Sequence, residues 1–177
     1  LQGSHPAESG LSILDYLLHD SPTIADDMGV LLDITYRMHS SVNQFISTHF
    51  YEGKVKADAD NDKRTVKVPH NYQGLLNKDA GIIFIPVAHE GNKQSSDEEV
   101  SVIQAITKEL LGRELTQLSG VSRPVSWSDI LFVAPYNHQV SKLKQALGEQ
   151  AKVGSVDKFQ GQEAAIVILS MCTSDVN

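Results

Sequence analysis

Two short clusters of polar and aromatic residues directly follow apolar segments of the chain and could bind phosphates and flat rings. Tyr36 and Arg37 form the first cluster, and Pro135, Tyr136 and Asn137 form the second. The planar guanidinium of an arginine binds phosphate oxygens as a fork, and a tyrosine ring offers a flat stacking face. Backbone amides where a helix begins can also face a phosphate, so the second cluster is typical of an anion-binding turn.

A third cluster, the polar turn of residues 157–163, directly precedes an uncharged apolar segment at residues 165–171. Gly161 would let the backbone approach a ligand closely, because it has no side chain. The Glu163 carboxylate can accept a hydrogen bond from a ribose hydroxyl. A carboxylate does not bind a phosphate directly, so we interpret Asp157 either as a helix N-cap or as an anchor for a neighbouring donor.

The elements that must position these clusters follow from hydrophobic spacing. We expect strands in four apolar segments, which are residues 30–35, 82–88, 130–134 and 165–171. Of these, the strands at residues 82–88 and 165–171 are expected to be buried. We expect helices in four segments: residues 12–19, 40–49, 96–111 and 137–147. Ser96 and Glu99 predict a capping box. Residues 57–67 are expected to form a surface loop or hairpin, and residues 119–128 a connecting loop. Strands that alternate with helices predict a right-handed βαβ, α/β fold.

Composition restricts the class of protein. The chain has 177 residues, of which 41% are hydrophobic, and this suits one compact domain with a real core. No apolar run approaches the roughly 20 residues that a membrane-spanning helix needs, and the first residues do not resemble a signal peptide. We therefore expect a cytoplasmic protein without a membrane partner. The isolated chain is expected to be a monomer.

Cysteine, histidine and net charge restrict the kind of site. The single Cys172 cannot form an internal disulfide, and core packing is its expected role. The seven histidines lack a second ligand at helix-face spacing, so no metal site is predicted. A net charge of −7 argues against a surface coated in positive charge, but a cleft for a single strand needs only local donors and stacking surfaces.

Taken in order along the chain, three segments resemble motifs of superfamily 1 helicases. The branch concerned includes the nonsense-decay (Upf) RNA helicase and the helicase-nucleases of DNA replication. The segments are Tyr36-Arg37-Met38-His39 with the downstream Phe50-Tyr51-Glu52-Gly53, then residues 133–140, then residues 156–171. Any one of them would be weak evidence, but three in the family's order make coincidence an implausible explanation.

This resemblance implies the C-terminal, second RecA-like motor domain, which is P-loop NTPase-like. It has a mainly parallel sheet with helices on both faces. The sequence contains no Gly-x-x-x-x-Gly-Lys-Ser/Thr loop, so the chain lacks its own Walker A motif. ATP and Mg²⁺ are then expected to be held mainly by a first RecA-like domain of the same polypeptide. Residues 1–20 are interpreted as a linker and first helix, and residues 21–177 as the second domain, ending before the family's last arginine motif.

The resemblance also implies roles for individual residues. Arg37 corresponds to the arginine that reaches the γ-phosphate of ATP, and Tyr36 corresponds to the aromatic residue that stacks on adenine. Gly161 and Glu163 correspond to a second nucleotide contact. The simpler interpretations are a surface ion pair for Arg37 and an ordinary half-buried ring for Tyr36. The chain departs from the common family pattern at Thr35, where many members have Gln, and at Ser40, where many have Pro.

Single-stranded DNA or RNA is the partner that the resemblance implies. Two turns would contact it, and they are Pro135, Tyr136 and Asn137 in one, and Ser155, Asp157 and Gln160 in the other. An ordinary capped turn is the simpler interpretation of Asn137.

Two other functions compete with the motor domain. A degenerate RecA-like module would bind partners or nucleic acid without motor activity. A Rossmann-type dinucleotide-binding domain is disfavoured because no glycine fingerprint follows the first strand. For a motor domain of this kind, the isolated chain is predicted neither to hydrolyse ATP nor to unwind nucleic acid.

Overall fold

The computed structural model describes residues 12–18, 21–25 and 27–174, which divide into two compact units. The first unit comprises Leu1–Asp62 with Ala80–Ile82, and the second comprises Lys63–Asp79 with Ile83–Asn177. Each unit is described by itself.

The first unit contains a small parallel βαβ arrangement. Its elements are α1 (Ile13–Leu18), β1 (Ile34–Thr35), α2 (Ser40–Phe50) and β2 (Lys56–Ala57), followed by a 3-10 helix at Ala59–Lys63. β1 and β2 pair in parallel, with Thr35 opposite Ala57. The expected strand at residues 30–35 is therefore limited to its last two residues, and Val30 and Leu32 are exposed.

Polar side chains of α2 hold the segment that leads into β2. His39 is the N-cap of α2, and its Nδ1 accepts a hydrogen bond from the Ser41 amide at 3.1 Å. The buried Asn43 donates from Nδ2 to the Val55 carbonyl at 2.9 Å, and the Val55 amide donates to Ser47 Oγ at 3.1 Å. Because these side chains replace ladder hydrogen bonds, the short β2 is kept beside β1.

The second unit contains two sheets. The antiparallel sheet has the order β3 (Thr65–Val66), β4 (Glu114–Thr116), β5 (Ser122–Pro124). The parallel sheet has β6 (Ile130–Val133) in the centre, between β7 (Lys152–Gly154) and β8 (Ile166–Leu169). The remaining elements are the helices α3 (Asp97–Leu110), α4 (Asn137–Leu147) and α5 (Val156–Phe159), with a 3-10 helix at Trp127–Asp129. This mixed arrangement with a parallel sheet confirms the predicted α/β fold class.

The core of the second unit lies between the parallel sheet and the helices α3 and α4. Ile130 and Phe132 of β6 and Ile168 of β8 point to this side, since alternate residues of a strand share a face. The helices contribute the apolar stripe that the sequence predicts: Val100, Ile103, Ile106 and Leu110 from α3, and Val140, Leu143 and Leu147 from α4. α4 occupies Asn137–Leu147 and has Gly148 as its C-cap, as predicted.

Two expected buried strands differ from the structure. Residues 82–88, all of which the structure describes, form no strand, and Phe84 is 87% exposed while Ile83 and Ile85 pack on the core. β8 is buried on one face only, because Val167 and Leu169 are 52% and 65% exposed. β8 lies at an edge of its sheet, and α3 and α4 cover only the face that carries Ile168.

The two expected loops contain regular structure. Residues 119–128 include β5 and most of a 3-10 helix, because the chain reverses at Gly120, whose φ is +79°, and pairs back on β4. Residues 57–67 include a 3-10 helix and β3. Both segments are too polar to show the alternation that identifies a strand, so their pairing could not be recognised from hydrophobicity.

Candidate functional site

The two candidate nucleic-acid turns of the second unit begin at the same edge of the parallel sheet. Pro135 comes two residues after the end of β6, and Ser155 directly follows β7. β6 and β7 are neighbouring parallel strands with Val133 opposite Gly154. Since the carboxyl ends of parallel strands meet at one edge, and α/β sheets bind ligands there, the topology brings the two turns together.

The β6–α4 turn exposes its candidate residues. Pro135, Tyr136 and Asn137 are all exposed, and Tyr136 is 38% accessible. Tyr136 is the N-cap residue of α4, and its side chain makes no capping hydrogen bond. The interpretation of Asn137 as a helix cap is wrong, because Asn137 is the first residue inside the helix. The turn therefore presents an aromatic ring beside the amides of an uncapped helix start.

The β7–α5 turn contains Ser155, Asp157 and Gln160. Ser155 is the N-cap residue of α5, so the interpretation of Asp157 as the N-cap is wrong. Asp157 and Gln160 are exposed, and Ser155 is half-buried. The Gln160 amide donates to the Asp157 carbonyl at 3.4 Å, which closes the single turn of α5.

Gly154, the last residue of β7, has little free space around it, and the sequence analysis did not identify it. A Cβ atom at this position would lie 2.6 Å from Lys158 Cδ and 3.0 Å from Phe159 Cε2. Such distances are shorter than ordinary contacts, so a larger residue would force the flexible Lys158 side chain to shift and would crowd the Phe159 ring. A glycine at a strand end just before a turn was the available signal.

Gly161 and Glu163 lie in the connection from α5 to β8. Gly161 has a φ of +81°, a conformation that residues with a side chain rarely adopt. The turn itself therefore requires glycine here, and a close approach to a ligand stays a prediction. Glu163 is exposed and precedes the start of β8 by three residues.

Tyr36 and Arg37 belong to the first unit and directly follow β1. Both side chains are exposed, and Tyr36 is 70% accessible, so its interpretation as an ordinary half-buried tyrosine is wrong. The Arg37 amide donates to Thr35 Oγ1 at 3.3 Å, and the Thr35 carbonyl accepts from Asn61 Nδ2 at 2.9 Å. Arg37 and Glu163 belong to different units, and their contact with one nucleotide stays a prediction.

A buried polar network, which the sequence analysis missed, lies directly behind the β6–α4 turn. Gln139 is fully buried, and its Oε1 accepts from the Ser96 amide at 2.9 Å. Its Nε2 donates to the Ser96 carbonyl at 3.2 Å and to Ser170 Oγ at 2.9 Å. One glutamine thus joins the start of α3, the start of α4 and the end of β8. A polar residue four positions before Leu143, in the apolar stripe of α4, was the sequence signal.

Glu99 is the second centre of this network. Its carboxylate accepts from Ser170 Oγ at 2.5 Å and from the Cys172 amide at 2.9 Å, and it lies 3.2 Å from His89 Nε2. The predicted capping box is therefore half wrong. Ser96 Oγ does accept from the Glu99 amide at 3.1 Å, but the Ser96 amide is bound to Gln139 rather than to Glu99.

Two groups of the second unit have strongly shifted pKa values. Burial, with a smaller contribution from the Glu99 charge, raises the pKa of the Cys172 thiol to about 11. The Arg123 guanidinium holds the pKa of the Asp129 carboxyl well below its usual range, and the Ser126 amide and hydroxyl add to this effect. Arg123 and Asp129 form a two-pronged ion pair with N–O distances of 2.7 and 2.5 Å.

The described residues contain no group of three or more His, Cys, Asp or Glu side chains that could hold a metal ion. In the same part of the chain, every helix is too short or too polar to cross a membrane.

Comparison with known proteins decides the family. A family model described as an AAA domain (AAA_12), a superfamily 1 helicase family, matches residues 11–177. The chain belongs to this family. Membership confirms the resemblance noted in the sequence and the RecA-like type of the fold.

Individual relatives agree with the family. The chain is 31% identical to mov-10-B.1 of Danio rerio, a protein named as a helicase, over 78% of this chain. It is 30% identical to the DNA polymerase alpha-associated DNA helicase A of Schizosaccharomyces pombe over 81% of this chain. It is 31% identical to the human 3'-5' exoribonuclease HELZ2 over 79% of this chain. The matched regions are only 15%, 23% and 5% of these three relatives.

Proposed function

We propose that this chain is the C-terminal motor domain of an ATP-dependent superfamily 1 helicase. In this proposal it works with a first RecA-like domain of the same polypeptide, and the two close over ATP while this domain contacts single-stranded DNA or RNA. Residues 21–177 form the domain, residues 1–20 connect it to the first domain, and the enzyme is cytoplasmic.

One observation carries the nucleic-acid part of the proposal. The turns that contain Tyr136 and Ser155 start at the carboxyl ends of two neighbouring parallel strands. The exposed ring of Tyr136 would stack on a base. The amides at the start of α4 would face a backbone phosphate, with Pro135 and Asn137 beside them, and Ser155 and Gln160 would donate to the next phosphate. Asp157 would orient these donors.

The nucleotide part of the proposal assigns roles to exposed residues. The Arg37 guanidinium would stabilise negative charge that develops on the γ-phosphate during transfer, and Tyr36 would stack on the adenine ring. Glu163 would accept a hydrogen bond from a ribose hydroxyl, at the turn that Gly161 makes possible. ATP supplies the transferred phosphoryl group, and Mg²⁺ would be bound mainly by residues of the first domain. Exposure of Tyr36, Arg37 and Glu163 is compatible with contacts to that domain.

A matched pair of tyrosine variants tests the nucleic-acid contact. Tyr136 and Tyr51 are each 38% exposed, but only Tyr136 lies at the proposed strand-binding edge. Loss of one base-stacking ring costs about 1–3 kcal/mol, so Tyr136→Ala should weaken binding of a labelled oligonucleotide about 5- to 150-fold. Tyr51→Ala should leave the affinity unchanged. Equal effects of the two substitutions would contradict the assignment.

ATP turnover separates the motor domain from a degenerate binding module. The chain alone should show no turnover, even with single strands present, because the triphosphate and magnesium ligands would lie in the first domain. The polypeptide that contains both domains should hydrolyse ATP in a strand-dependent way. A binding module would bind oligonucleotides through Tyr136, yet it would show no turnover in either form.

A further inference from the structure

A basic concavity borders β7, the strand at one edge of the parallel sheet. Its volume is about 490 Å³, and it lies between the end of α4, β7 and α5. Its charged lining residues are Lys144, Lys152, Lys158 and Glu149. They give the concavity a formal charge of +2, whereas the whole chain has a net charge of −7.

The three lysines have no carboxylate partner among the residues that the structure describes. Lys152 Nζ donates to the Ser128 carbonyl at 3.0 Å, and Lys158 Nζ donates to the Val153 carbonyl at 3.2 Å. An ammonium group has three donors, so each of these two can bind a further acceptor. By contrast, Lys142 on the same helix as Lys144 forms an ion pair with Asp97 at 2.8 Å. The positive charge of the concavity is therefore only partly offset, by Glu149.

Aromatic and amide groups accompany these charges. The half-buried Phe159 lines the concavity, as does Gln162. A basic groove that contains an aromatic ring is the combination with which proteins bind single-stranded nucleic acids independently of sequence, because cations contact phosphates and rings stack on bases. A site for a small isolated anion would not need the ring.

The concavity is continuous with the proposed strand contacts. Lys158 and Phe159 lie in α5 between Asp157 and Gln160, and both side chains lie close to Gly154 at the end of β7. We propose that Lys144, Lys152 and Lys158 bind phosphates of the same single strand, which would leave the Ser155–Gln160 turn and pass along β7. This inference rests on the proposed function and adds a second segment to its nucleic-acid site.

The salt dependence of binding tests the inference. Each phosphate contact to a single strand contributes about −0.7 to the slope of log K against log salt concentration. The triple variant Lys144→Gln, Lys152→Gln, Lys158→Gln should therefore bind an oligonucleotide of about 12 residues more weakly, with a slope reduced in magnitude by about 2. Fluorescence anisotropy of the labelled oligonucleotide measures both quantities, and unchanged Trp127 fluorescence confirms that each variant is folded.

Lys108→Gln is the matched control. Lys108 is an exposed lysine in the last turn of α3, as Lys144 is in the last turn of α4, but it does not line the concavity. This substitution should change neither the affinity nor the slope. A triple variant that keeps the wild-type slope, while Tyr136→Ala still weakens binding, would overturn the inference and leave the proposed function intact.

Two further outcomes would also overturn the inference. If the wild-type chain does not bind single strands, both the inference and the nucleic-acid part of the proposed function fail. Competition with inorganic triphosphate distinguishes a site for the phosphates of a single strand from a site for small polyphosphates. If, at equal phosphate concentration, triphosphate displaces the oligonucleotide from the wild type but not from the triple variant, the concavity binds a small polyphosphate instead.

Discussion

Gln139 offers a test of the buried network that supports the candidate strand-binding turn. Its side chain is fully buried and makes three hydrogen bonds, two to the backbone of Ser96 and one to Ser170 Oγ. Gln139→Leu keeps a similar volume and removes all three. Three polar groups lose a hydrogen-bond partner in this variant. The loss of stability depends on whether each group keeps another partner.

The Ser96 amide is left without a partner, whereas the other two groups each keep one. The Ser96 carbonyl still accepts from the Val100 amide at 3.3 Å, and Ser170 Oγ still donates to Glu99 at 2.5 Å. An unsatisfied buried amide costs about 1–3 kcal/mol, and each ordinary hydrogen bond contributes about 0.5–1.5 kcal/mol. Gln139→Leu should therefore lower the free energy of unfolding by about 2–6 kcal/mol.

Urea unfolding followed by tryptophan fluorescence measures this change. Trp127 is the single tryptophan, and it lies in the same unit as Gln139, with its ring 6.4 Å from that of Phe132. Gln145→Leu is the matched control, because Gln145 is exposed on the same helix. A Gln139→Leu variant as stable as Gln145→Leu would refute the account of the network.

Two further predictions concern the shifted pKa values. Asp129→Asn should lower the free energy of unfolding near pH 7 by about 1.5–3 kcal/mol, because it removes a charged partner of Arg123. Since the pKa of Asp129 is lowered in the folded state, this contribution is present above the unfolded value of about 3.9 and is lost as the pH falls below it. Wild type and variant should therefore converge during acid titration of stability, and a constant difference down to pH 2 would be inconsistent with the ion pair. Cys172 is buried with a pKa of about 11, so iodoacetamide at pH 8 should modify it at least about 100-fold more slowly than a free cysteine, until urea unfolds the chain. Modification at the free-cysteine rate, followed by mass spectrometry, would show that the thiol is accessible.

Local sequence signals predicted the helices well and the strand pairings poorly. The spacing of Val140, Leu143 and Leu147 with Gly148 gave the bounds of α4, because periodicity and a C-cap are properties of the helix itself. An apolar segment becomes a strand only when a partner strand is next to it, and residues 82–88 have the composition without the partner. β5 shows the converse, since a polar segment pairs with β4 through a turn at Gly120.

For the candidate site, the sequence predicted the positions of the two turns but not the buried contacts behind them. The neighbouring positions of Tyr136 and Ser155 follow from topology, because both come after parallel strands. The contacts of Gln139 and Glu99 join segments far apart in the sequence, and each of these two residues has an ordinary local interpretation. The Ser96–Glu99 pattern shows the limit most clearly, since Gln139 competes successfully for the amide that a local capping box would use.

The central claim is that Arg37 acts on ATP bound by another domain, and single-turnover ATP hydrolysis by the full-length polypeptide tests it most directly. With single strands present, Arg37→Ala should lower the rate of phosphoryl transfer by about 10³- to 10⁵-fold, the range for arginine fingers, with much less change in the Kd for ATP. Arg37→Lys should restore little of this rate, because a point charge does not replace the planar fork. A near-normal rate in Arg37→Ala would contradict the account.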